Sequence, residues 1–223
     1  MIRRVLCLHV LRSIMTSNNA KVCRREGNMM DNAVKVIRCG EENKPEQYNK
    51  VYYTDKQITV RDMRQEDAAV ITQEEIAQGW NATVDKYEMR LRDRQEKHAV
   101  VLVAEYQGNV AGYINVYPES AWGAYANKGY PEIVDFGVLE KYRRRGIGSR
   151  LMDVAEQVAG EYSDKVCLGV GLHSGYGSAQ RMYVKRGYIP DGSGVWYNDK
   201  VCEPYAACCN DDDLVLYFMK ELR

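Results

Sequence analysis

The chain has only two phenylalanines and three histidines in 223 residues, and its 31 lysines and arginines are offset by 31 aspartates and glutamates. Each shortage excludes something. A neutral chain lacks the basic surplus that general affinity for nucleic acid or an anionic membrane requires. No apolar run is long enough to span a bilayer. Seven cysteines, an odd number with no repeat and no C-x-x-C pair, do not make a disulfide framework. Cys202, Cys208 and Cys209 come nearest to a metal cluster. With so few histidines and no pairing motif, the reading is reduced thiols, no metal and a reducing cytoplasm. Aromatic character comes instead from 17 tyrosines, which suit a wet, aromatic-lined cleft and equally suit strand edges.

Residues 1–56 read differently from the rest. "MIRRVLCLHVLRSIM" has a basic start and a short apolar run, but His9 interrupts it and no small-residue cleavage site follows, so it is not read as a signal peptide. "RREGNMM", Arg24 to Met30, would be encoded by purine-rich codons ahead of two methionines, as a translated ribosome-binding site would be. A natural start at Met29 or Met30 is therefore expected, with residues 31–56 a polar lead-in.

From residue 57 to 223 the signals are those of one mixed α/β domain. "QITVR" alternates as a strand does, and two helical patterns follow, the second capped by Thr83 with Val84, Tyr87 and Leu91 on one face. "HAVVLVAEY" and "VAGYINVYP" flank a turn at Gly108 and Asn109, and "PEIVDFGVL" is a further strand. A helix with Ile147, Leu151, Val154 and Val158 at helical spacing comes next, then the strand "KVCLGVGL", a helix through "GSAQRMYVKRGY" and two last strands.

Between a strand end and an amphipathic helix lies "YRRRGIGSR". The first amide N–H groups of a helix have no intrahelical partner, and the helix dipole adds partial positive charge there. Gly146 and Gly148 let a ligand approach the backbone, and Arg143, Arg144 and Arg145 add donors suited to phosphate oxygens. The combination is an anion cradle, best suited to a pyrophosphate. A Walker loop needs a lysine after its second glycine, and a dinucleotide fingerprint needs a third glycine where Leu151 stands; neither is met.

What is met is [QR]-x-x-G-x-[GA], by Arg143 to Gly148. Here the sequence resembles the GNAT superfamily of acetyl-coenzyme A-dependent acetyltransferases, over about residues 57–222. "SAQRMYVKRGY" resembles that family's penultimate helix, with Ala179, Met182, Tyr183, Gly187 and Tyr188 in step. Tyr176 departs from the asparagine the family often carries there. The resemblance implies a mostly antiparallel seven-stranded sheet with helices on both faces and a splay between its fourth and fifth strands. It also implies acetyl-coenzyme A as co-substrate, transfer to a primary amine of a small molecule or peptide by direct attack in a ternary complex, and often a homodimer. The diphosphate would be held by Arg143, Arg144, Arg145, Gly146, Ile147, Gly148 and Ser149. Val138 would be the backbone donor to the thioester, with Gly137 allowing close approach of the ligand. Tyr183 matches the family's usual general acid. The same fold without turnover, a coenzyme A-binding sensor or interaction module, is the alternative.

Amine attack requires that a proton be removed, directly or through water. Glu132 and Asp135 are the candidate bases, and their odd spacing along a strand places them on opposite faces. Glu119 and His173 are outside candidates. Asn210 to Asp213 read as a turn with exposed carboxylates or as a lip that attracts cationic acceptors. Trp80, Tyr117, Trp122, Tyr125, Trp196 and Tyr205 are candidates to line the acceptor pocket.

Overall fold

The computed structural model describes residues 48–222, so the expected start at Met29 or Met30 and the reading of "MIRRVLCLHVLRSIM" lie outside the described residues. The sheet begins at β1 (Val51–Thr54), ahead of residue 57, inside the stretch that reads as lead-in. β1 pairs antiparallel with β2 (Ile58–Asp62), and the Tyr52 hydroxyl donates to Asp62 at 3.2 Å. Helices α1 (Gln65–Ala77) and α2 (Val84–Gln95) follow, the latter starting after Thr83, whose side chain makes no capping bond. β3 (Val100–Tyr106) and β4 (Asn109–Tyr117) form a hairpin. Its turn residues are Gln107 and Gly108, both at positive φ, rather than Gly108 and Asn109: Asn109 already pairs with Tyr106.

The second half comprises β5 (Glu132–Val138), α3 (Ile147–Ala159), β6 (Lys165–Gly171), α4 (Gly177–Lys185), β7 (Ile189–Tyr197), the short β8 (Lys200–Val201) and β9 (Leu214–Glu221). The strand order is β1-β2-β3-β4-β5-β6-β9-β7-β8. Among the described residues only β5 and β6 pair in parallel, and the other pairings are antiparallel. The expected seven strands are thus nine, because β1 and β8 extend the two edges.

Alternation along the strands builds a core on each face. Ile114 and Val116 of β4 join Ile147, Leu151, Val154 and Val158 of α3 and Tyr183 of α4. Tyr113 and Tyr117 of the same strand join Ala68 and Ile71 of α1 and Tyr87 and Leu91 of α2 on the other face. Ile147, Leu151, Met152 and Val158 of α3 are at most 2% exposed, and burying each such side chain stabilises the fold by roughly 1.5–3 kcal/mol. Helices therefore lie on both faces, as expected.

Two irregularities in β5 position the site. First, β5 and β6 share a single residue pair, Glu132 with Cys167. Beyond it the strands diverge, and the edge of β5 from Asp135 to Val138 has no strand partner on that side. Second, Val134 faces Asn115 while Gly137 faces Tyr113, so Asp135 and Phe136 together oppose one residue of β4. Asp135 sits at φ +52° in this bulge.

Candidate active site

The turn into α3, where an anion cradle is expected, has unusual backbone. Arg144 and Gly146 both take left-handed backbone, at φ +62° and +82°. Glycine does so freely, whereas an arginine there costs roughly 1–2 kcal/mol. Backbone strain of this kind persists where surrounding structure enforces it, most often at functional sites. The first α3 bond runs from Arg150 N–H to the Gly146 carbonyl at 3.0 Å, and no side chain caps the helix. Among the described residues no acceptor meets the amides of Ile147, Gly148 or Ser149. These amides and the positive end of the helix dipole point outward together.

The three arginines are exposed but differ in their tethers. Arg143 donates to Glu140 at 3.1 Å and to the Val138 carbonyl at 3.3 Å. Arg145 lies over the Tyr106 ring, 5.0 Å from its centroid. Arg144 has no partner among the described residues. Gly148 packs α3 against the free edge of β5: a Cβ there would stand 3.2 Å from the Phe136 ring and 3.4 Å from Val138. Next to the cradle, a groove of about 450 Å³ runs between α3 and α4, lined by Ser149, Ser178, Arg181, Met182, Lys185 and Arg186.

Tyr183 projects from α4 into the core beside Tyr188, ring centroids 5.7 Å apart. It is 6% exposed, and its hydroxyl makes no hydrogen bond to the described residues. Burial raises its pKa, which keeps the phenol protonated and able to donate.

Glu132 and Asp135 differ from the expectation of opposite faces. Glu132 and Val134 alternate with Ile133, which packs against α3, and so face the α1–α2 side. The bulge turns Asp135 to that side as well, where it meets α2. Arg90 holds it with Nη2 at 2.6 Å and Nε at 2.7 Å, and Lys86 Nζ lies 3.7 Å away. Burial alone would raise the Asp135 pKa, but the Lys86 and Arg90 charges lower it overall, so it is a poor proton acceptor. Among the described residues no cation is bonded to Glu132. Burial raises its pKa from 4.5 to about 7, although Ser120 Oγ donates to it at 2.7 Å. Of the two, Glu132 has the pKa a general base needs near neutrality.

Gly137 has a different reason from ligand approach. A Cβ there would stand 2.8 Å from the Tyr113 ring, which crosses the strand on its way to Glu75. Glu75, 3% exposed, accepts from the hydroxyls of Tyr87 and Tyr113, each at 2.5 Å. His173 is committed elsewhere. Its Nδ1 accepts from the Gly175 amide at 3.1 Å, and Nε2 faces Asp212 at 3.0 Å. Asp212 also accepts from Tyr176 at 2.6 Å, and Asp211 accepts from the Asp213 amide at 3.1 Å, so the acidic run is a bonded turn. The six candidate aromatics do not converge. Tyr117 meets Trp122 edge to face with ring centroids 5.3 Å apart, Trp196 meets Tyr217 in the same way at 5.5 Å, and Tyr205 is fully exposed.

Sequence reasoning missed Lys86, Arg90, Glu75 and Ser120, which surround the bulge. Nothing in the spacing along α2 ties Arg90 to a residue 45 positions away. No group of three or more histidines, cysteines, aspartates or glutamates among the described residues is arranged to hold a metal.

A splayed parallel strand pair thus lies beside a bare helix start, with a bulged strand end between them, and the helix start is suited to an anion. The family model for the GNAT acetyltransferases matches residues 63–188, more than half of the chain, and the chain belongs to that family. Several solved structures share its fold. One is Ard1 from Thermoplasma volcanium, 21% identical, TM-score 0.55, covering 75% of this chain and 99% of that one. Another is the acetyl transferase of Salmonella typhimurium that modifies the N-terminal serine of ribosomal protein L7/L12, 8% identical, TM-score 0.59, covering 78% and 100%. A third is the putative acetyltransferase yncA of Salmonella typhimurium, solved with acetyl-CoA, 17% identical, TM-score 0.54, covering 75% and 95%. No curated protein matches the chain.

Proposed function

We propose that the protein is an N-acetyltransferase that moves an acetyl group from acetyl-coenzyme A to a primary amine of a small molecule or peptide, by direct attack in a ternary complex. One observation carries this reading above the others. The unpartnered amides of Ile147, Gly148 and Ser149 open beside a strand edge that is itself unpaired from Asp135 to Val138. A diphosphate fits the first and a pantetheine amide chain fits the second, in one continuous track. Arg144, with no other partner, supplies a charge-assisted donor to the diphosphate.

Val138 and its neighbours on the free edge offer backbone N–H donors to the thioester carbonyl, whose charge grows as the tetrahedral intermediate forms. Glu132, neutral-to-ionised near pH 7, takes the amine proton through water, because Ser120 and the segment before β5 cover it. Tyr183 returns a proton to the departing sulfur. The free Tyr183 hydroxyl supports turnover over a binding-only module of the same fold.

Release of free thiol from acetyl-coenzyme A against a panel of alkyl amines, aminoglycosides, polyamines and peptide N-termini tests the reading. Titration calorimetry with coenzyme A runs beside it. Heat with coenzyme A and amine-dependent thiol release are expected. Binding without release from any amine would leave the sensor reading, and no binding would remove both.

A further inference from the structure

We propose that Lys86 is itself acetylated by the protein that carries it, a modification site on the first turn of α2; the proposal rests on the acetyl-transfer reading above. Three observations point there. Lys86 Nζ lies 3.7 Å from Asp135, the bulge residue at which the free edge of β5 begins. Asp135 and Val138 are three residues apart, at most about 10 Å at extended rise and less across a bulge. The amine is thus held beside the stretch of backbone that would carry the thioester.

The second observation is that Asp135 has a closer partner than Lys86. Arg90 already meets its carboxylate with two nitrogens, at 2.6 and 2.7 Å, and is itself 1% exposed. Lys86 makes the longer contact, at 3.7 Å, and adds its charge to that of Arg90. What does hold Lys86 is an aromatic surface: its Nζ stands 5.3 Å from the Tyr87 ring centre and 5.4 Å from that of Tyr113. Both rings are fixed from behind by Glu75.

The third is chemical access. Lys86 keeps 28% of its side chain exposed on a flexible four-carbon stem, so it reaches the cleft without unfolding anything. Asn115 lies on the same strand face as Tyr113 and Tyr117, opposite Val134, and its buried Oδ1 has no partner. It is an unmet acceptor for an N–H in this region.

The step balances without another reactant. The Lys86 ammonium loses one proton to solvent, and the free amine attacks the thioester carbonyl of acetyl-coenzyme A. The C–S bond breaks as the N–C bond forms, and the second amine proton passes to the sulfur. The products are N-acetyl-Lys86 and coenzyme A thiol. Acetylation removes the Lys86 charge, and with it the contacts to Asp135 and the two rings.

The test uses the full chain and acetyl-coenzyme A carrying an isotope-labelled acetyl group, with peptide mapping by mass spectrometry. Lys86 is expected to take up label at least tenfold faster than the exposed Lys56 and Lys200, at a rate independent of protein concentration. Excess coenzyme A suppresses labelling of Lys86 and leaves those two unchanged. Lys86→Arg, which retains the charge, removes this one fast site. Labelling of Lys86 at the rate of the exposed lysines, in protein that binds acetyl-coenzyme A by calorimetry, overturns the proposal and leaves the acetyltransferase reading standing. Absence of binding overturns both.

Discussion

Replacing Glu132 with glutamine should stabilise the protein, and should do so only where the carboxyl is forced to ionise. Glu132 is 5% exposed, and its pKa rises from 4.5 to about 7 because burial penalises the charge. The unfolded chain gives up this proton near pH 4.5, whereas the folded chain keeps it until about pH 7. Across that window the folded state binds more protons, so stability falls as pH rises and then levels above pH 7. A rise from 4.5 to about 7 corresponds to roughly 3 kcal/mol lost by pH 8, with under about 1 kcal/mol lost by pH 5. Glutamine never ionises and can still accept from Ser120, so Glu132→Gln leaves the packing and the 2.7 Å bond in place. Urea unfolding of both proteins at pH 5, 6, 7 and 8 measures the difference directly. The variant should gain over the parent steadily with pH, reaching about 3 kcal/mol at pH 8. A difference that stays flat over this range would refute the placement of Glu132 as an unpaired buried acid. The same group predicts a rate profile in which kcat/KM climbs through about pH 7, and in which Glu132→Gln abolishes the climb.

Other expectations follow from single contacts. Tyr183→Phe removes a buried phenol whose hydroxyl is bonded to none of the described residues and should lower kcat by about 100-fold while coenzyme A affinity, read by calorimetry, holds. Arg144→Gly fits the φ of +62° and should keep thermal stability while weakening coenzyme A binding about tenfold, the loss of one charge-assisted bond; tighter or unchanged binding would mean that Arg144 does not touch the diphosphate. Arg90→Met leaves Asp135 with only the loose Lys86 contact and should cost roughly 3–5 kcal/mol in urea unfolding. Adding Asp135→Asn to that variant should recover part of the loss, and no recovery would mean that the cost is one of packing. Gly137→Ala presses a methyl against the Tyr113 ring at 2.8 Å and should cost about 1–3 kcal/mol, also by urea unfolding.

The parts of this molecule that were legible in its sequence are those encoded by local pattern. The α3 face, the cradle and the register of Tyr183 each depend on residues within one or two turns of one another, and spacing alone places them. The errors sit where one strand departs from its period. Reading Glu132 and Asp135 as pointing apart assumes an unbroken alternation, and the extra residue at Asp135–Phe136 cancels it. The edge strand β1 was read as a loose lead-in because its four residues, "VYYT", are too few to show a period against polar flanks. Arg90, Glu75 and Ser120 were invisible because their partners are distant in sequence, and a charged or hydroxyl side chain on a helix or loop carries no sign of what it will meet.

The bulge explains why these long-range contacts gather where they do. By offsetting β5 against β4, it sends Asp135 toward α2, where Arg90 and Lys86 neutralise its buried carboxylate. It also brings Gly137 opposite Tyr113, whose ring needs the missing Cβ to reach Glu75. Beyond this point β5 is held on one side only, by β4, and its other edge stays open because β6 has already diverged. Gly148 then lets α3 start close against Phe136 and Val138. An open peptide edge and an open helix start are two sets of unsatisfied donors that a fold would ordinarily close with its own groups. Here the Arg90–Asp135 pair and the Glu75–tyrosine bonds brace the bulge from the α1–α2 side, which favours the bulged path of β5 over a straight one. Loosening that brace, as in Arg90→Met, should therefore weaken coenzyme A binding as well as the fold. Calorimetry on the folded fraction of that variant checks it: affinity equal to the parent's would show that the open edge persists without the brace.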